Sequence, residues 1–183
     1  MPPTLANPTP LGLISFGLST ILINLATAGL ISNGSPILAQ GIFLGGLAQL
    51  LAGILEYFKG NTFGCAVFSS FGAYWLSASF FNILPKLGWA DAPDPSVMGA
   101  FMFIWGIYAV MLFLAVIKGG GILAVILTCL VLHFFLQAFG IWFNIEILKI
   151  IAGYDGIICG GGAFYLGGAT IIHETSQTKI LPY

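Results

Sequence analysis

GILAVILTCLVLHFFLQAFGIWFN, residues 121–144, contains no Asp, Glu, Lys or Arg in its whole length. A helix needs about 20 mainly apolar residues to cross the hydrocarbon core of a bilayer, whereas a buried core helix of a water-soluble domain needs about 10–14. Strand alternation is absent, so the run predicts a membrane-spanning helix. Five more runs of similar length and character occupy roughly residues 10–31, 37–57, 62–84, 97–117 and 148–172. The breaks between them are short and rich in turn formers: SNGSP, KGN, PKLGWADAPDPS, KGGG and the less marked NIEILK. None of these breaks is long enough to hold a water-soluble domain. The expected fold class is an all-α membrane protein with six transmembrane helices per protomer and short loops, a single domain over residues 1–183.

Composition supports the same solvent. Charged residues make up 6% of the chain and hydrophobic residues 58%, and the mean hydropathy is +1.04. A soluble domain carries about 25% charged residues, so this chain has too little polar surface to face water. All five basic residues are lysines, which argues against nucleic acid, whose affinity comes from clustered Lys and Arg on phosphates. Without arginine no guanidinium fork can clamp an anion. Cys65, Cys129 and Cys159 stand in apolar stretches without CxxC spacing and read as small buried hydrophobes. No cofactor or metal site is expected. HExxH, GxSxG and Gly-rich phosphate loops are absent from the sequence, so an enzyme is not the expected class. The start of the chain lacks a basic segment before its first apolar run, so no cleaved signal peptide is expected.

With the N-terminus inside, Lys59, Lys118 and Lys179 lie on the inner side and Lys86 and Lys149 on the outer. The positive-inside rule therefore favours a multi-pass protein of the cytoplasmic membrane with both termini cytoplasmic, by three lysines to two.

The informative residues are polar groups repeating at helical spacing on apolar segments. Phe16, Thr20, Asn24 and Thr27 share one face of the first segment, and Leu130, His133, Gln137, Gly140 and Asn144 one face of the fifth. Ser70, Tyr74 and Ser77 form a stripe on the third, flanked by Phe71, and the second carries Gln49 and Glu56 two turns apart. Interhelical hydrogen bonds, worth about 0.6 kcal/mol each, explain any one of these groups. Stripes on four helices converging on one axis would line a narrow polar path, with Phe16, Phe71 and Leu130 forming an apolar constriction. Neutral donors for a small anion are Asn7, Thr20, Asn24, Gln49, Asn61, Thr62, Ser70 and Tyr74. Intramembrane ionisable groups are costly and often functional, so Glu56 and His133 are candidates for proton coupling, with Glu146 and Asp155 nearer the segment boundaries. Structural readings compete at each: a helix–helix hydrogen bond for His133, an ion pair with Lys59 for Glu56. Gly41 and Gly45, and Gly156 and Gly160, have the spacing of close helix contacts, either within one bundle or between protomers.

The start of the first segment, NPTPLGLISFG (Asn7–Gly17), reads as an N-cap Asn7 followed by Pro8 at the first helical position, with free N–H groups that favour anions. It resembles the NPAPLGLxxF signature of the acetate uptake transporter family, also called the succinate–acetate permease family, departing from it at Thr9. The likeness continues through GIFLGGLAQLLAGILEYFKGNTFG (Gly41–Gly64) and LPKLGWADAP (Leu84–Pro93) and covers nearly the whole chain. The resemblance implies a six-helix protomer in a ring-shaped homo-oligomer, a hexamer, with a path through each protomer for acetate and often succinate, by proton symport or channel-like passage. It also implies a three-residue constriction, with Phe16 and Leu130 in the family's places and Phe71 where bacterial relatives usually carry tyrosine. A further departure is Ala26 and Thr27, where relatives carry bulkier or more polar residues. A membrane sensor or scaffold without transport is the alternative from another class.

Overall fold

The computed structural model describes residues 5–182. Six membrane-length helices account for most of them: α1 (Thr9–Thr27), α2 (Ser35–Phe58), α3 (Thr62–Ile83), α4 (Pro95–Val116), α5 (Gly121–Trp142) and α6 (Glu146–Ser176). At a rise of 1.5 Å per residue they run from about 29 to 46 Å, enough to cross a bilayer. The connections are short, so consecutive helices run antiparallel, and the described residues include no strand.

Helix ends follow local chemistry more than hydropathy. The first apolar run extends to Ile31, but α1 stops at Thr27 because Gly29 turns left-handed at φ +76°. The last helix is longer than its apolar run at both ends, with Glu146 in its first turn and His173 in its last. Charge ends a hydropathic run without ending a helix. Pro95 opens α4 behind Asp94, whose carboxylate accepts from the Ser96 hydroxyl and from the Ser96 backbone N–H at 2.8 Å. Those bonds hold the Asp94 carboxyl below its ordinary value. Asn7 is not the N-cap of α1. The cap position belongs to Pro8, and the Asn7 side-chain Oδ1 accepts from the Thr9 N–H at 3.3 Å, two residues on.

Neighbouring helices meet in two ways. Small residues bring backbones together: a Cβ on Gly17 would lie 2.7 Å from the Gly160 carbonyl oxygen, and one on Gly156 would strike the Asn24 side chain. These contacts bind α1 to α6. Gly72 of α3 likewise lies against the backbone of α2 at Gly46 and Leu50. Of the two readings of the glycine pairs, packing within the protomer accounts for Gly41, Gly45, Gly156 and Gly160 alike.

The seam between α3 and α4 is built oppositely, from large rings that hold the backbones apart. Phe71 and Trp105 have ring centroids 5.3 Å apart, Tyr74 and Trp105 5.0 Å, and Tyr74 and Phe101 5.6 Å. The middle of α2 departs from α-helical winding, because Gly41–Ala48 is wound as a π-helix. Its glycines remove the Cβ atoms that would strike the Trp75 indole, 2.8 Å from a Cβ placed at Gly45. Wide turns of this kind are rare and recur at functional sites. The bundle therefore closes tightly around α1, α2 and α6 and stays open where aromatic side chains span the gap.

Candidate functional site

Two cavities adjoin inside the bundle. The larger, about 480 Å³, sits toward the end carrying the α1–α2, α3–α4 and α5–α6 connections and is lined there by Asn82, Met98, Glu146 and Lys149. The smaller, about 180 Å³, sits toward the termini and is lined by Thr9, Asn61, Leu123 and Leu166. Phe16, Phe71 and Leu130 line both. All three are buried members of one hydrophobic cluster, at 8%, 1% and 5% exposure. The Phe16 and Phe71 rings meet edge to face with centroids 5.9 Å apart. An apolar layer three side chains wide thus separates two cavities with polar groups in their walls.

Periodicity explains why these residues converge. Phe16, Thr20, Asn24 and Thr27 lie on one face of α1, and all four line the larger cavity, as do Leu130, His133 and Gln137 of α5 and Tyr74 of α3. Gln49 of α2 reaches the smaller cavity with Asn61. The walls carry unusual polar atoms. Thr20 Oγ1, Asn24 Oδ1 and Trp75 Nε1 beside the larger cavity, and Gln49 Oε1 beside the smaller, are buried without a hydrogen-bond partner among the described residues. Leaving such a group unpaired costs about 1–3 kcal/mol. Such groups call for a water or another polar partner; Ser15 Oγ and Asp155 Oδ2, which line neither cavity, are unpartnered in the same way.

The other predicted residues are held by bonds of their own, some beside the cavities and some away from them. Ser70 donates to the Tyr108 hydroxyl at 3.1 Å in the α3–α4 seam and lines neither cavity. Ser77 is exposed and bonds back to the Ala73 carbonyl oxygen. Thr62 is exposed at the start of α3. Asn61 is the N-cap of that helix, accepting from the Gly64 N–H at 3.1 Å. Glu56 is fully buried and accepts from the Thr9 hydroxyl and from Asn61 Nδ2, the latter at 2.8 Å. Lys59 does not pair with Glu56. It donates to Asn7 Oδ1, while Asn7 Nδ2 donates to Glu174 at 2.6 Å. Asn7 is thereby engaged in a polar bridge between the α2–α3 turn and the end of α6, and is not an open anion mouth. His133 lines the larger cavity and bonds through Nδ1 to the Ala152 carbonyl oxygen at 2.9 Å. A carbonyl only accepts, so Nδ1 carries the proton.

The pattern of the GPR1/FUN34/yaaH family matches residues 2–182. The chain belongs to that family. The succinate–acetate/proton symporter SatP of Escherichia coli K12 is 42% identical over 179 residues, covering 97% of this chain and 95% of SatP. Acetate permease A of Emericella nidulans is 29% identical over 196 residues, covering 97% of this chain and 65% of the permease. A solved structure described as the bacterial acetate channel SatP superimposes with a TM-score of 0.95 at 41% identity, covering 98% of this chain and 99% of that one. The all-helical, six-span reading of the chain and its likeness to the acetate transporter family are both correct.

Within the family fold, sequence reasoning missed Trp75, Ser79 and Phe134. Phe134 is 2% exposed and stacks with Phe71 at 6.1 Å, thickening the apolar layer. The signal was present, since Phe134 lies one turn after Leu130 on the same helix face. Trp75 carried the same signal, one turn after Phe71, but its fit against the glycines of the π-helical stretch of α2 did not show in the sequence.

Proposed function

We propose that each protomer passes acetate, and other small carboxylates such as succinate, across the cytoplasmic membrane through the axis that joins the two cavities. Phe16, Phe71 and Leu130 form its constriction. Thr20, Asn24 and Tyr74 on one side, and Gln49 with Asn61 on the other, offer neutral groups to the carboxylate. The reading rests on one observation above the others: the three residues shared by both cavity linings are the three apolar residues set within the polar stripes. The names of the relatives support the cargo, a succinate–acetate/proton symporter in one case and an acetate permease in another. Neutral donors bind weakly enough to release. The methyl group of acetate suits the apolar layer, while its charge is the part that needs help there, through wetting of the gate or entry as the protonated acid.

Both termini face the cytoplasm in this account, so the larger cavity opens outward, and the protomers assemble into a homohexameric ring in which each keeps its own path. The protein is a transporter and not an enzyme. Glu56 and His133 are the groups to carry a proton if uptake is coupled. Uptake of labelled acetate into proteoliposomes tests the proposal: saturable, protein-dependent flux is expected, and its absence from assembled protein points to a sensor or scaffold. An imposed pH gradient tests coupling: an alkaline interior should raise the protein-dependent initial rate of acetate uptake above that of protein-free vesicles if a proton travels with the anion.

A further inference from the structure

The wall of the larger cavity includes an ion pair. Lys149 Nζ pairs with Glu146 three residues earlier, in the first turn of α6, and both residues line the cavity at its outer end. The partners are held unequally. The Lys149 side chain is 27% exposed and its stem lies against α5, where a Cβ on Gly140 would come within 2.8 Å of Lys149 Cγ. The turn beneath it is pinned, with Asn144 left-handed at φ 49° and the Ile145 N–H donating to the Gly140 carbonyl oxygen at 2.9 Å. Glu146 is 72% exposed and free to swing away. An exposed pair of this spacing is weak. The head group of Glu146 is chemically an acetate on a short tether.

We propose that Lys149 is an anion-recruiting site at the outer mouth, taking small carboxylates, and that Glu146 is its resident, displaceable stand-in for the cargo. The inference rests on the carboxylate-passage reading and adds a step before the constriction. Deeper in the same cavity, Thr20 and Asn24, 6% and 2% exposed, hold the unpartnered Oγ1 and Oδ1. A carboxylate arriving at the lysine therefore finds a second polar station inward. A single ammonium at a wet rim raises the local anion concentration without trapping the anion, because its field is screened within about 8 Å at physiological salt. In the exchange the Lys149 ammonium stays paired throughout, and the displaced Glu146 carboxylate, 72% exposed, is solvated at the rim, so no uncompensated ion is buried.

Initial rates of acetate uptake into proteoliposomes, measured across acetate concentration at low and high ionic strength, test this. Lys149→Gln should raise KM about threefold at low salt, with the effect fading at high salt, as expected for a charge that governs encounter. Glu146→Gln should move KM the other way, lowering it about twofold, because it removes a weak internal competitor. The double variant should behave like Lys149→Gln alone. A Glu146→Gln KM equal to or above that of the parent overturns the proposal. So does a Lys149→Gln effect that is insensitive to salt or falls on maximal flux, which would make the lysine a prop for the α5–α6 turn. If Lys149→Gln assembles poorly, the Glu146→Gln arm decides alone. Absence of saturable flux in the parent protein sinks the transport reading, and this inference with it; saturable flux with indifferent variants sinks only this inference.

Discussion

Glu56 shows how a single residue can be costly and still required. It is fully buried, and its carboxylate accepts from Thr9 at the start of α1 and from Asn61 at the start of α3. Glu56→Ala would orphan both donors beside the smaller cavity, so we expect a loss of about 2–4 kcal/mol, read as thermal stability in detergent. Glu56→Gln keeps the volume and should assemble; if Glu56 carries the coupled proton, that variant abolishes the stimulation of protein-dependent acetate uptake by a pH gradient while leaving downhill flux. Asn7 belongs to the same end of the molecule, bonded to Lys59 and Glu174. Asn7→Ala removes the acceptor of Lys59 and the donor to Glu174, exposed bonds whose loss should cost about 1 kcal/mol. Its flux should fall by more than that loss explains if the bridge from α6 to the α2–α3 turn holds these helix ends in place beside the path.

At the scale of elements, the contrast between glycine seams and aromatic seams explains where the path lies. The α1–α6 contact leaves no room for a side chain at Gly17 or Gly160. Gly160→Val should push the helices apart and cost at least the 1–3 kcal/mol of ordinary overpacking, about the top of that range, seen as loss of assembled protein in size-exclusion chromatography. Asn61→Ala removes the cap of α3 and a donor to Glu56 at once, so its cost should exceed the ~1 kcal/mol of a simple cap. The helices themselves were legible from hydropathy, because a bilayer demands length and apolarity and little else. The convergence of Phe16, Leu130, Thr20, Asn24 and Gln137 was legible too, since a 3.6-residue period places them on common faces. The π-helical stretch of α2 was not. It arises from packing against Trp75 and Ser19 on other helices, and no local pattern in GIFLGGLA announces it. Nor was the destination of Lys59, which passes over Glu56 three residues away for Asn7, fifty-two residues away; such a choice is made by tertiary geometry and leaves no trace in spacing.

At the scale of the whole molecule, a larger cavity with polar groups in its lining and a smaller, almost wholly apolar one are divided by a layer where Phe16, Phe71 and Leu130 meet. Everything proposed about passage depends on that layer being the narrow part of the route. Leu130→Ala thins it at the cost of about 2–5 kcal/mol of packing, and Phe16→Ala does the same from α1. The most direct test is the ratio of succinate to acetate flux in proteoliposomes holding assembled parent protein or the Leu130→Ala variant. The account predicts that the ratio rises in the variant as the gate widens. An unchanged ratio together with unchanged acetate flux would contradict it.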